Sequence, residues 1–77
     1  MITARQVRAA RALLGWTQRE LAEAAGLSLA GVNNIEREAV NARTSTFRKL
    51  KSTLEDAGIR LIEDQTTGSI GVVVTAR

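Results

Sequence analysis

Two adjacent carboxamides and a nearby guanidinium are the side chains best suited to specific chemistry in this chain, namely Asn33, Asn34 and Arg37. A carboxamide can form two hydrogen bonds with the N6 and N7 atoms of adenine, and a guanidinium can hold a phosphate. At about 100° per residue on a helix, these residues share one side with Leu29 and Ala30. Leucine and alanine can touch a thymine methyl group, so this side predicts contacts with base edges.

The opposite side of the same helix consists of small and aliphatic residues, Gly31, Val32 and Ile35, which we expect to face the core. Ser28 is the predicted N-cap, and the helix is expected to end near Arg37 or Glu38. The segment therefore predicts a helix that presents one polar side and buries the other.

Another short helix is predicted directly before it, from the cap residue Thr17 to about Ala25. Thr17 and Glu20 have the spacing of a capping box, and Gly26 can adopt the positive φ that ends a helix. Two helices joined by so short a connection have the layout of a helix-turn-helix.

The segments LLGWTQRELAEAAGLS and NNIERE carry a family resemblance. Over about residues 7–58 the chain resembles the phage-repressor-like regulators of the Cro and cI type (XRE family), whose helix-turn-helix signature it matches in spacing at Gln18, Ala22, Gly26, Val32 and Ile35. The resemblance implies DNA binding and a mainly α, four-helix, λ-repressor-like domain.

The resemblance also implies how such a domain meets DNA. Gln18 lies where a side chain and the helix N-terminus can meet a phosphate, with help from Arg19, and the loop that holds Arg43 follows the DNA backbone. Plain solvation of Arg43 is the alternative. We therefore expect base contacts from Leu29, Ala30, Asn33 and Asn34, and phosphate contacts from Gln18, Arg19, Arg37 and Arg43.

A helix is predicted before this motif, from about Ala4 to Leu14, with Thr3 and Gln6 as its capping box. Its arginines lie off its apolar stripe. We expect them on a solvated basic face, with a phosphate contact from Arg8 or Arg11 as the alternative. Trp16, which follows this helix, is expected to pack in the core.

A further helix is predicted after the motif, from about Ser45 to Ala57, with Thr44 or Ser45 as its N-cap. Asn41 is expected to form a turn in the polar connection before it. Phe47, Leu50 and Leu54 would form its apolar stripe.

From Ile59 onward the hydrophobic period changes from that of a helix to that of a strand. The segments 59–63 and 69–75 flank QTTG and predict an antiparallel hairpin. A lone hairpin is marginally stable, and apolar residues fall on both of its faces, which favours a second subunit. A hairpin that folds back onto its own helices is the alternative. The expected dimerisation residues are Ile62, Ile70, Val72, Val73 and Val74.

The charge of +3 is unevenly distributed along the 77 residues. Residues 1–51 hold nine Lys and Arg against four Asp and Glu, whereas residues 52–77 hold two against four. The basic part coincides with the predicted helix-turn-helix, as a phosphate-binding face requires. We accordingly expect residues 1–58 to bind DNA and residues 59–77 to form a dimerisation element of the same domain.

Several function classes are disfavoured by composition. The chain has no Cys and no His, which removes the usual nucleophiles and metal ligands, so we expect no enzyme activity, metal or cofactor. It shows no long apolar run and no signal peptide, so we expect a cytoplasmic location. The leading interpretation is a sequence-specific transcription regulator, a repressor that binds an inverted repeat as a dimer. The alternative is a protein-interaction module, such as an adaptor or antitoxin, with secondary DNA binding.

Overall fold

The computed structural model describes residues 2–39 and 43–75. In these ranges the chain forms four helices followed by an antiparallel hairpin, which confirms the predicted fold class. The elements are α1 (Ala4–Leu14), α2 (Gln18–Ala25), α3 (Leu29–Glu36), α4 (Thr44–Asp56), β1 (Ile59–Asp64) and β2 (Ser69–Val74).

The first two helices begin and end where the sequence predicts. Thr3 and Gln6 form a reciprocal capping box at α1, and Thr17 and Glu20 form another at α2. Each pair satisfies two backbone N–H groups that a helix N-terminus would otherwise leave without partners. Gly26 follows α2 with φ of 70°, a left-handed conformation that glycine adopts at low cost.

The ends of the other two helices differ from expectation. Ser28 caps α3 as predicted, but α3 ends at Glu36, and Glu38 has a positive φ of 57° that a continuing helix does not allow. The prediction that Thr44 or Ser45 caps α4 is wrong. Thr44 is already helical, and Arg43, the N-cap, makes no capping hydrogen bond with its side chain to the described residues. The turn expected at Asn41 lies outside the described residues.

The hairpin has a continuous antiparallel register that pairs Ile59 with Val74 at one end and Asp64 with Ser69 at the other. Because paired residues lie on the same face, Leu61 and its partner Val72 share one face, and both pack against the core. Ile62 and Val73 lie on the other face and are exposed. The predicted alternation is therefore confirmed, with apolar residues on both faces.

The core lies between the four helices and the inner face of the hairpin. Its fully buried large side chains are aliphatic, and Trp16 and Phe47 pack against them while remaining partly exposed. Burial of a leucine side chain stabilises the fold by about 1.5–3 kcal/mol, so a few such residues dominate a domain of this size. They are Val7, Leu21, Val32, Leu50 and Leu54.

Gln6 fastens the hairpin to α1. Besides its role in the capping box, its side-chain Nε2 donates hydrogen bonds to the carbonyl oxygens of Ile62 and Gly71, both at 3.0 Å. These two residues are partners across the strands, so a single buried amide bonds both strands at once. The helices of the described ranges are too short and too polar to cross a membrane.

Candidate nucleic-acid interface

α3 is oriented as its sequence predicts, with its aliphatic side toward the core and its polar side toward solvent. Val32 and Ile35 are buried in the core, whereas Leu29, Ala30 and Asn33 are exposed. α3 packs mainly against α2 and α1. The residues expected at base edges therefore lie together on the outer side of the second helix of the motif, apart from Asn34, which is partly buried.

Glu36 holds α3 in place from its buried side. The residue is only 2% exposed, and its carboxylate accepts two hydrogen bonds from Arg11, at 2.9 Å from Nε and 3.0 Å from Nη2. Such a two-point pair fixes both distance and rotation between the partners, because the guanidinium is planar. The pair therefore sets the position of α3 relative to α1.

The same arginine also reaches the start of the motif. Arg11 Nη1 donates a 3.0 Å hydrogen bond to the carbonyl oxygen of Trp16, immediately before α2. The solvated basic face expected for α1 is thus wrong for Arg11, whose guanidinium is engaged inside the protein and poorly placed for a phosphate. Arg8 donates to the Glu36 carbonyl oxygen and lies 3.9 Å from the Glu38 carboxylate.

Gln18 joins this network to the exposed side of α3. Its Nε2 donates to the Glu36 carboxylate at 3.1 Å, and its Oε1 accepts from Asn33 Nδ2 at 3.2 Å. The chain of contacts runs from a buried carboxylate, through the first residue of α2, to a carboxamide on the outer side of α3. Gln18 therefore orients Asn33.

A separate contact orients the second carboxamide. Arg37 Nη2 donates to Asn34 Oδ1 at 3.1 Å, so the guanidinium at the end of α3 lies beside the amide. With its oxygen bonded in this way, Asn34 presents its NH₂ group as a donor. Both carboxamides are thus held by a neighbouring polar side chain.

The other two expected phosphate contacts are exposed but separated in the fold. Arg19 is the second residue of α2, and Arg43 is the N-cap of α4. The structure does not bring them into contact with the polar network around Glu36. Their charges lie at helix N-termini, where backbone N–H groups also favour anions.

The expected dimerisation residues are unequally exposed. Ile62, Val73 and Val74 are exposed, whereas Ile70 and Val72 are partly buried. Val72 packs against the core of its own chain. The inner face of the hairpin therefore folds onto the helices of its own chain, as the alternative prediction states. The apolar residues of its outer face remain exposed.

Two buried polar residues, Gln6 and Glu36, make long-range contacts that the sequence patterns do not predict, although the capping box of Gln6 was predicted. Glu36 falls at the end of the polar side of α3, where spacing alone suggests solvent. The sequence feature that could have predicted this burial is the family-like segment NNIERE, but the segment does not say which of its two glutamates is buried. The described residues contain no group of three or more His, Cys, Asp or Glu side chains arranged to hold a metal ion.

In a comparison with family models, residues 7–55 match the family described as helix-turn-helix. The matched range begins inside α1 and ends inside α4, so it contains the whole network around Glu36 and the whole of α2 and α3. A search of curated proteins finds no match.

Proposed function

This chain belongs to the helix-turn-helix family of Cro- and cI-type (XRE) DNA-binding transcription regulators, and we propose that it is a repressor that binds an inverted-repeat operator as a dimer. In this proposal α3 is the recognition helix and lies in the major groove. The protein acts in the cytoplasm, without a cofactor and without enzyme activity.

The observation that carries the proposal is the pair of oriented carboxamides on the outer side of α3. Each is held by one side-chain hydrogen bond: Asn33 donates to Gln18, and Asn34 accepts from Arg37. An amide fixed in advance loses little conformational entropy when it binds adenine N6 and N7. Leu29 and Ala30, one turn earlier on the same side, supply apolar contacts with thymine methyl groups.

Phosphate contacts would fix the register of α3 in the groove. Gln18 suits this role, because its amide group has two hydrogens and the described part of the chain supplies an acceptor, Glu36, for one of them. The other hydrogen can meet a phosphate at the N-terminus of α2. Arg19, Arg37 and Arg43 are exposed and complete the proposed set.

A dimer would supply the affinity that one small domain lacks. Linking two half-sites converts the second binding event into an intramolecular one, and a two-fold dimer sets its recognition helices about 34 Å apart. The exposed apolar residues of the hairpin support the proposal that the C-terminal strands form the contact. We retain Ile62, Ile70, Val72, Val73 and Val74 as the proposed dimerisation residues.

Selection of binding sites from random duplex DNA tests the proposal directly. We expect an enriched inverted repeat whose half-sites are one helical turn apart. A double variant, Asn33→Ala with Asn34→Ala, serves as the control and should select a degenerate half-site, since its phosphate contacts remain. No enrichment by the wild-type chain, together with a stable protein partner isolated from the native host, would favour the protein-interaction module instead.

A further inference from the structure

A cavity of about 330 Å³ lies between the C-terminal parts of α2 and α4. We call it the Trp16 cavity, and the residues that line it are Trp16, Ala24, Thr53, Asp56 and Ala57. None of these is among the residues proposed for base, phosphate or dimer contacts. The proposed function therefore leaves the cavity without a role.

One wall of the cavity is aromatic. Trp16 packs against the hydrophobic core but remains partly exposed, so the core holds the residue while part of it stays accessible in the cavity. The face of an indole ring carries a negative potential, and tryptophan attracts cations more strongly than the other aromatic side chains do. This wall therefore suits a positively charged group.

Asp56 is the charged residue among those that line the cavity. Its side chain is exposed and has no hydrogen bond or ion pair with another residue in the part of the chain that the structure describes. A carboxylate without an internal partner can accept hydrogen bonds from a cationic donor at little cost to the fold.

Two helix ends add to the negative character of the cavity. Ala24 lies in the last turn of α2, and Thr53 and Asp56 lie in the last turn of α4. The C-terminal end of a helix carries a partial negative charge, which a basic residue in the last turn commonly offsets. Neither of these last turns contains one. The cavity thus combines two uncompensated helix ends with a carboxylate and an indole.

We propose that the Trp16 cavity binds the guanidinium group of an arginine side chain on a partner protein. A guanidinium is planar, so it can stack on the indole and donate two hydrogen bonds to one carboxylate, which an ammonium group cannot match. A protein side chain suits the cavity better than a free ligand, because Ala24 and Asp56 are exposed and leave it open, whereas small-molecule pockets enclose most of their ligand.

The inference goes beyond the proposed function and does not depend on it. Asp56 is about 20 Å along α4 from Arg43, the proposed phosphate contact at the opposite end of that helix. Ala24 is likewise near the end of α2, whereas Gln18 begins it. A partner in the cavity would leave these proposed DNA contacts accessible, so the protein could hold DNA and partner together.

The first test uses Trp16 as its own reporter, since the chain contains one Trp and no Tyr. The probe is N-acetyl-arginine amide, and N-acetyl-citrulline amide is its uncharged analogue. We expect the arginine derivative to change the Trp16 emission with saturation at millimolar concentrations, because one cation–π contact and one ion pair at an open site are individually weak. The citrulline derivative should bind at least about fivefold more weakly.

A matched pair of acid-to-amide variants assigns the binding to the cavity. Asp56→Asn should raise the dissociation constant of the arginine derivative about fivefold, whereas Glu55→Gln, at an adjacent exposed acid that does not line the cavity, should leave it unchanged. Equal binding of the two derivatives, or wild-type affinity in Asp56→Asn, overturns the inference. Tighter binding of spermidine than of the arginine derivative would assign the cavity to a free polyamine and overturns it as well.

The second test asks whether a protein segment supplies the arginine. Peptides selected from a random library by the full-length chain should share an arginine and should bind Asp56→Asn at least about fivefold more weakly than the wild type. Replacing the shared arginine by lysine should weaken binding to the wild type, since the planar stacking is lost. Selected peptides that lack a common arginine, or that bind both proteins equally, contradict the proposed contact. Neither test involves DNA, so failure here leaves the proposed function intact.

Discussion

Gln18 Oε1 accepts a hydrogen bond of 3.2 Å from Asn33 Nδ2, which couples a proposed phosphate contact on α2 to a proposed base contact on α3. Because the same glutamine donates to Glu36, movement at the phosphate would be transmitted to both the core and the base-contacting side chain. In the proposed function, the phosphate contact of Gln18 would therefore position the side chain of Asn33 that would specify the base.

The coupling predicts how three alanine variants differ. Asn34→Ala should cost about 1–3 kcal/mol on the selected operator and relax the preference at one base pair. Asn33→Ala should behave similarly at another base pair, whereas Gln18→Ala should both weaken binding and relax the preference at the base pair of Asn33. Affinities for a panel of single-base operator variants measure this. Full operator affinity in both asparagine variants would show that the base contacts are assigned wrongly.

Arg43 is predicted to contribute affinity without specificity. Arg43→Ala should weaken binding to all duplexes by a similar factor and lower the slope of log K against log salt by about one unit, since one counterion fewer is released. The matched control is Arg60→Ala, which removes another exposed charge, from the hairpin, and should leave the slope unchanged. An identical slope in both variants would place Arg43 in solvent.

Glu36 is predicted to stabilise the fold mainly as the buried anion that pairs with Arg11. Glu36→Gln leaves a partly buried guanidinium without its anion and should lower the free energy of unfolding by roughly 2–4 kcal/mol. Glu38→Gln makes the same chemical change at an exposed site and should cost about 0.5 kcal/mol or less. Urea denaturation measures both. Equal losses would argue against a structural role for the buried pair.

Gln6 allows its two roles to be separated by a single substitution. Gln6→Glu keeps an acceptor for the capping box but replaces the NH₂ group that donates to Ile62 and Gly71 with a carboxylate. We expect a loss of about 2–3 kcal/mol, since two partly buried hydrogen bonds are lost and both carbonyl oxygens then face a negative charge. Relative to the wild type, Gln6→Glu should accelerate amide hydrogen exchange more in the hairpin than in α2. Unchanged protection of the amides of β1 and β2 against exchange would show that the Gln6 side chain does not hold the hairpin.

Local signals in the sequence were sufficient to predict α1 and α2. The capping boxes at Thr3 and Thr17 are formed between residues three apart, so spacing alone reveals them. The prediction failed at α4, where Thr44 is helical and Arg43 is the cap, because hydroxyl residues are frequent enough in ARTST to suggest a cap at several positions. The strands were found from their alternation, and their register agrees with the predicted turn at residues 65–68.

Local sequence patterns could not predict the polar contacts between residues far apart in the chain. Arg11 and Glu36 are 25 residues apart, and Gln6 is 65 residues from Gly71. Periodicity assigns each such residue to a side of its own helix, but it cannot say which polar group finds a partner across the fold. For this reason the outer side of α3 was predicted well, and the network that supports it was not.

The placement of Glu36, Val32 and Ile35 on one side of α3 leaves Leu29, Ala30 and Asn34 outside the core. If the proposed base contacts are right, stability and operator choice are encoded by different residues, and a library randomised at these three positions should retain a folded scaffold. Asn33 differs from Asn34, whose partner Arg37 is exposed, because its own partner Gln18 also bonds the buried Glu36, so that Asn33 and Gln18 should change together. New operator specificities should thus arise readily by substitution at three sites, and at the fourth only through paired change.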